Sequence, residues 1–460
     1  MRYQDLSYFN DPEFKELLDK YEAAIQDGGE PYFDPGEFTD IAEYYMMNER
    51  EEEANQCIDL ALTIHPNAND PQIFLARQQL FHGNLTVARQ LARTIPDQED
   101  REVKFFWAEW LIRKEQPEEA HQMLEEYGET VTEERDFFLY DTANIFTDYD
   151  QWEIATRWAK RLKEEFPNFK NTDLLISDIM VSTGRVAEAM PLLQGILDTD
   201  PFNRDAWNLL AEAESGQEHY AESLEAIDYL LAIDEHNPQA WLIRANCLFH
   251  LNRLNEAHEQ YLFYLEEEPK DFVTRYFDGV TLTNLERFDD ALMQLELALS
   301  HANKEAAEYL HILLQLSYVL SKLRRKDEAI KRLDQAHAIS DNATDDEYQL
   351  LLGQIYLDNQ DVHTANQCFL EALRTTQKEH DTMLFIGISY AEASYFSTAV
   401  NIFTELLTTD MPERDARILP YLAYCLFFMP DKTEYERVYA LARQANPTLT
   451  EYLFSPVMKE

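Results

Sequence analysis

Residues 241–269 read WLIRANCLFHLNRLNEAHEQYLFYLEEEP. In this stretch Ala245 and Ala257 stand twelve residues apart, and Tyr261 and Tyr264 follow Ala257 by four and seven. Offsets of 0, +4 and +7 fall on one face of an α-helix and not on one face of a strand. Pro269 then closes the segment, because proline cannot continue a helix. The stretch reads as two helices joined by a short turn.

Outward from Ala257 the same pattern recurs along the chain. Anchor positions fall at Ala54, Ala88, Ala120, Ala155, Ala189, Ser223, Ala257, Ala291, Ala329, Ala365, Ala399 and Tyr435, with spacings of 32 to 38 residues and most often 34. Twelve residues before each anchor stands Ala42, Ala76, Ala108, Ala143, Ser177, Ala211, Ala245, Gly279, Ser317, Gly353, Gly387 or Ala423. Ala, Gly and Ser make up 68 of 460 residues, so about two such matches are expected by chance and all twelve are found. Four residues after each anchor the side chain is always apolar, from Ile58 to Tyr439. Small residues on facing sides let the two helices of a unit approach closely. Glu214 and Gln79 are the two polar exceptions at an otherwise apolar position. The bland expectation for Glu214 is that it reaches the edge of the stack.

These residues resemble the tetratricopeptide repeat (TPR) family. The family's Trp, Leu, Gly/Ala and Tyr on the first helix, then Ala, aromatic, Ala and Pro on the second, match Trp241, Ala245, Leu248, Ala257, Tyr261, Tyr264 and Pro269 best. Trp207, Leu210 and Ala211, and then Gly353, Tyr356, Ala365, Phe369 and Ala372, follow closely. About twelve units span residues 35–448. The resemblance implies an all-α fold, an α-solenoid of stacked antiparallel helix pairs forming a right-handed superhelix.

Residues 1–34 are read as a capping helix and linker. Asp11 is the N-cap, Pro12 the first helical residue, and Phe14, Leu17, Leu18, Tyr21 and Ile25 the apolar stripe, ended by Gly28–Gly29. Residues 449–460 form a short cap or tail. The longer spacings on either side of Ala329 allow a joint near residues 300–345.

Composition narrows the function. With 39 Lys+Arg against 87 Asp+Glu, the net charge of −48 disfavours nucleic acid and anionic lipid surfaces. Only 11 glycines imply few tight turns and no phosphate-cradling loop. No secretory leader is visible, and the longest apolar run, Leu419–Met429, is about half the length of a membrane span. Cys57, Cys247, Cys368 and Cys425 form no CxxC pair, which fits reduced thiols and a cytoplasmic protein. No HExxH, GxSxG, Walker or dinucleotide motif occurs, and His250 and His258 lie eight apart across a turn. No enzyme, cofactor or metal is expected.

In this family partner-contacting residues lie on the first helices, facing a concave groove. Carried onto this chain, that face holds Phe105, Tyr140, Asn144, Glu212, Asn246, Phe249, Tyr276, Tyr318 and Tyr424 as the candidate partner-binding residues. It also carries acids such as Glu109, Asp148, Asp178, Asp358 and Glu392, and only Arg77, Arg113, Lys322 and Arg417 as bases. Aromatics among carboxylates suit a protein or peptide segment with apolar and Lys/Arg side chains. Asn144 and Asn246 match one position of the family's carboxylate clamp, but Tyr140 and Leu242 stand where Lys or Arg is needed. The expected function is a non-enzymatic interaction scaffold or adaptor. The alternatives are a chaperone-like escort of a basic client and, against the net charge, an RNA-binding helical repeat. Self-association through an open end of the stack is compatible with each.

Overall fold

The computed structural model describes residues 8–9, 11–26, 32–48, 50–339, 345–408, 416–430 and 432–454. The Gly28–Gly29 helix end, the turn at 340–344 and the tail from residue 455 lie outside the described residues. Among the described residues every regular element is helical, and the chain divides into two compact units, residues 1–217 and 218–460.

The first unit opens with α1 (Pro12–Gln26). It continues with the pairs α2 (Pro35–Met47) and α3 (Glu51–Ile64), α4 (Asn69–Phe81) and α5 (Leu85–Thr94), α6 (Arg101–Arg113) and α7 (Pro117–Gly128), α8 (Arg135–Asp148) and α9 (Trp152–Glu165), and α10 (Thr172–Ser182) and α11 (Val186–Thr199), ending with α12 (Arg204–Gly216). The second unit opens with α13 (Tyr220–Ile233). Its pairs are α14 (Pro238–His250) and α15 (Leu254–Glu267), α16 (Phe272–Asn284) and α17 (Phe288–His301), α18 (Ala307–Lys322) and α19 (Lys326–Ile339), α20 (Asp345–Asp358) and α21 (Val362–Thr375), α22 (Glu379–Glu392) and α23 (Phe396–Thr408), and α24 (Ile418–Phe428) and α25 (Tyr435–Ala445). The eight-residue α26 (Pro447–Phe454) follows.

All twelve residues of the small column are buried. The glycines show what the column accommodates. A Cβ on Gly279 would meet Leu295, one on Gly353 would meet Phe369 and one on Gly387 would meet Phe403, each at 2.7 Å or less. Each partner stands sixteen residues later, at the apolar position four beyond the anchor. The missing side chain therefore makes room for a large one on the paired helix, which fills the core of the unit. α1 lies on this core through Phe14, 1% exposed, and Tyr21, whose ring meets Phe38 edge-on. Ile25, read as part of its stripe, is 44% exposed. At the other end Phe454 of α26 is buried against the rings of Tyr424, Phe427 and Tyr439.

The turns depart from the composition reading. A residue with positive φ stands five before the anchor in ten units: Gly83, Glu115, Asp150, Gly184, Glu218, Asn252, Glu286, Arg324, Gln360 and Ser394. Tight left-handed turns are thus frequent, and eight of these ten are not glycine. They hold because the next N–H closes back over the helix end: Arg253 N–H to Leu248 C=O at 2.8 Å, and likewise Arg287 to Leu282 and Arg325 to Leu320 at 2.9 Å. Low glycine content did not mean few tight turns. Glu214 is half-buried.

Candidate functional site

Where a first helix has its second helix in the same unit, its small residue faces that helix, so the next residue turns about 100° away. In the first unit that column runs Glu43, Arg77, Glu109, Asn144, Asp178, Glu212. Arg77 is held against α6, its Nη1 3.0 Å from Glu102 and its Nη2 2.9 Å from Glu109. Arg77 and Glu109 are both buried.

Beyond that pair the face carries Asp148, Asp178 and Glu212, with Asn144 and Arg113 among them. Burial pushes the Asp148 carboxyl up to about 6, and the neighbouring charges of Glu109 and Asp178 add to the shift. Asp178 is also raised by burial, against a hydroxyl hydrogen bond from Ser182. Glu212 is raised by burial despite the Asn208 amide, which donates to it at 2.8 Å. Nearby on α8, burial raises Asp141 to about 7, with Arg101 opposing. Asp148 and Glu212 are nevertheless exposed.

The sequence-selected residues of this unit divide. Phe105 is 1% exposed and stacks on Phe138, ring centroids 5.8 Å apart, so it belongs to the core and not to a contact surface. The reason is local: the ring at 138 occupies the gap between α6 and α8 and leaves Phe105 no path outward. Tyr140 is half-buried, its ring 5.4 Å from Phe169 and its hydroxyl engaged by Asn144 and Asn171. Asn144 is thereby tied to Tyr140. Glu212 stands open to solvent.

In the second unit Asn246 accepts the Tyr261 hydroxyl at 2.8 Å, so its amide oxygen is spent inward. Phe249 is half-buried over the Ala245, Leu248, Ala257 and Tyr261 cluster. Tyr276 is half-buried between Phe277 and His311. Tyr424 leans on Phe396, Phe428 and Phe454.

Tyr318 belongs to a polar network that runs over three first helices. The Lys322 ammonium lies 4.9 Å from the centre of the Tyr318 ring, 3.0 Å from Asp358 and 3.2 Å from Glu392. Ser321 donates to Asp358 at 2.8 Å and Gln354 to Glu392 at 3.2 Å. Burial lowers the lysine's affinity for its proton, but Glu392, Tyr318 and Asp358 outweigh it, and the ammonium is held charged well above the usual range. Sequence reasoning placed Lys322, Asp358 and Glu392 on this face singly. Their meeting depends on helices 36 and 70 residues apart, which no single repeat position discloses.

The remaining chemistry is structural. All four cysteines are buried, and burial pushes the Cys57 and Cys425 thiols up to about 12. Among the described residues no three His, Cys, Asp or Glu side chains are grouped to hold a metal ion. No helix among them is long and apolar enough to cross a membrane.

Residues 208–272 match the tetratricopeptide repeat family model. No curated protein sequence matches the chain. Among solved structures, a tetratricopeptide repeat protein from Parabacteroides merdae aligns at 15% identity and a TM-score of 0.43, covering 56% of this chain and 98% of its own. PilF of Pseudomonas aeruginosa aligns at 18% identity and a TM-score of 0.37, covering 46% and 95%. MamA of AMB-1 aligns at 22% identity and a TM-score of 0.33, covering 36% and 88%. The match places the tetratricopeptide repeat over residues 208–272, and the spacing of small and anchor residues found there recurs along the sequence on both sides of them.

Proposed function

We propose that the chain is a non-enzymatic interaction scaffold whose first-helix faces take protein segments combining apolar side chains with Lys or Arg. Tetratricopeptide repeats are protein-interaction modules, and that much follows from the family. The partner's character rests on one observation. Asp148 and Glu212 of the first unit are open to solvent, yet burial raises their carboxyl pKa values, and Asp178 lies within electrostatic reach of both. Poorly hydrated carboxylates of like charge gain from a guanidinium or ammonium that replaces the missing water. The half-buried rings of Tyr140 in the first unit and of Phe249, Tyr276 and Tyr318 in the second offer flat apolar surface beside polar groups.

The test is capture from native lysate by wild type and by the Asp148→Asn/Asp178→Asn/Glu212→Gln variant, with mass spectrometry. These side chains stand at the surface or its edge, so helicity by circular dichroism should be unchanged. A partner held by wild type, lost by the variant and released by about 0.5 M salt supports the reading. Equal capture by both proteins refutes it.

A further inference from the structure

The second helices of the second unit carry a surface unlike the rest of the chain. Tyr229, Phe263 and Leu297 are each 34 residues apart, so they hold one register position on α13, α15 and α17. They are 59%, 46% and 38% exposed. Leu262 and Met293 beside them are also exposed, and the Trp241 ring lies 5.8 Å from Phe263. One repeat before and after, the same position holds Gly195 and Gln335, so the apolar stripe is confined to three helices. An isolated exposed Leu or Phe is ordinary, but exposed apolar side chains at one register position of three successive second helices mark a surface.

The charge on the three helices themselves is of one sign. α13, α15 and α17 together carry ten Asp and Glu and no Lys or Arg, whereas α9 alone carries four bases. Neighbouring segments pair Asp228 with Arg244, Glu256 with Arg253, Asp290 with Arg287 and Glu296 with Arg332.

We infer that this outer stripe docks an amphipathic helix of another protein, whose apolar face is flanked by Lys and Arg. A second copy brought face to face would set the same acids against each other, and an anionic lipid surface meets the same repulsion. An amphipathic helix presents one apolar stripe with polar flanks on both sides, which matches three apolar side chains bordered by carboxylates. The surface lies on second helices and is separate from the first-helix faces assigned above.

The probe is a synthetic Leu/Lys amphipathic peptide of about 18 residues, carrying a photo-crosslinker and added to the full chain at about 0.15 M salt. Controls are a scrambled peptide of the same composition and a Leu/Glu peptide with the same apolar face. Crosslinks mapped by mass spectrometry should fall on α15 and α17 around Phe263 and Leu297. The exposed-site variant Phe263→Ser/Leu297→Ser, checked for unchanged helicity, should lose those crosslinks and bind at least about tenfold more weakly. Crosslinks confined to first helices, equal affinity in the variant, or equal binding of the scrambled peptide would each overturn the assignment. So would self-association of the wild type that the variant abolishes, because the occupant would then be a second copy.

Discussion

Gly353→Ala and Gly195→Ala make the same change inside a helix and should move stability in opposite directions. Gly195 of α11 is exposed, and a Cβ there meets nothing within 4 Å. Removing glycine's conformational freedom from that helix should stabilise by about 1 kcal/mol. At Gly353 the new methyl would overlap Cε1 of Phe369 and lie 2.6 Å from its Cδ1 and 3.0 Å from its Cζ. Ordinary carbon contact is about 3.5 Å, so the ring must withdraw by about 1 Å. It has little room to do so: Phe369 is 3% exposed and packs against the Tyr390 ring at 5.7 Å. Overpacking of this kind costs about 1–3 kcal/mol. Set against the propensity gain of about 1 kcal/mol, the net should be a loss of up to about 2 kcal/mol. Ala245 coexists with the Tyr261 ring at the equivalent pair, so the prediction concerns the spacing of α20 and α21 and not the residue types alone. The assay is urea unfolding of the full chain by circular dichroism, comparing midpoints at unchanged slope. Repeat arrays can unfold in stages, so hydrogen exchange of α20–α21 peptides localises the effect. Gly353→Ala/Phe369→Leu, which reproduces the Ala108 and Leu124 pairing, should recover most of the loss. Gly353→Ala stabilising the chain as much as Gly195→Ala would refute the account of the small column.

Asp148→Asn should raise the melting temperature above pH 6 and have no effect below about pH 4. The folded carboxyl is pushed by burial up to about 6, well above the ordinary aspartate range, so its stabilising contribution is present at low pH and lost as pH rises through 6. Lys322→Met strands Asp358, 7% exposed, and should cost about 3–5 kcal/mol by urea unfolding. Lys322→Met/Asp358→Leu should return much of it, and a single variant as stable as wild type would show the network to be inert. Phe105→Ala should cost about 3–5 kcal/mol without changing partner capture per folded molecule, whereas Phe81→Ser, at a position 68% exposed, should stay within about 0.5 kcal/mol by the same assay.

The helix pairs were legible because their requirement is local and repeated. A residue that must be small leaves a trace whichever of Ala, Gly or Ser fills it, and twelve traces in register amount to a fold. The turns were not legible, because a backbone hydrogen bond to the preceding helix end holds the left-handed residue, and Glu286 or Arg324 can occupy it as well as Gly83. Site residues fail for a different reason. Phe105 and Phe137 both sit on first helices, yet one is 1% exposed and the other 52%. The difference comes from what the next repeat supplies: Phe138 closes over Phe105, and only the edge of Phe169 meets Phe137. Asp148 likewise owes its raised pKa first to burial and then to Glu109 and Asp178, each at least thirty residues distant in sequence. In a repeat protein the frame is written within each unit, and the surface between units. A family's contact positions therefore carry over as places, while the chemistry at each place is decided by the neighbouring helices.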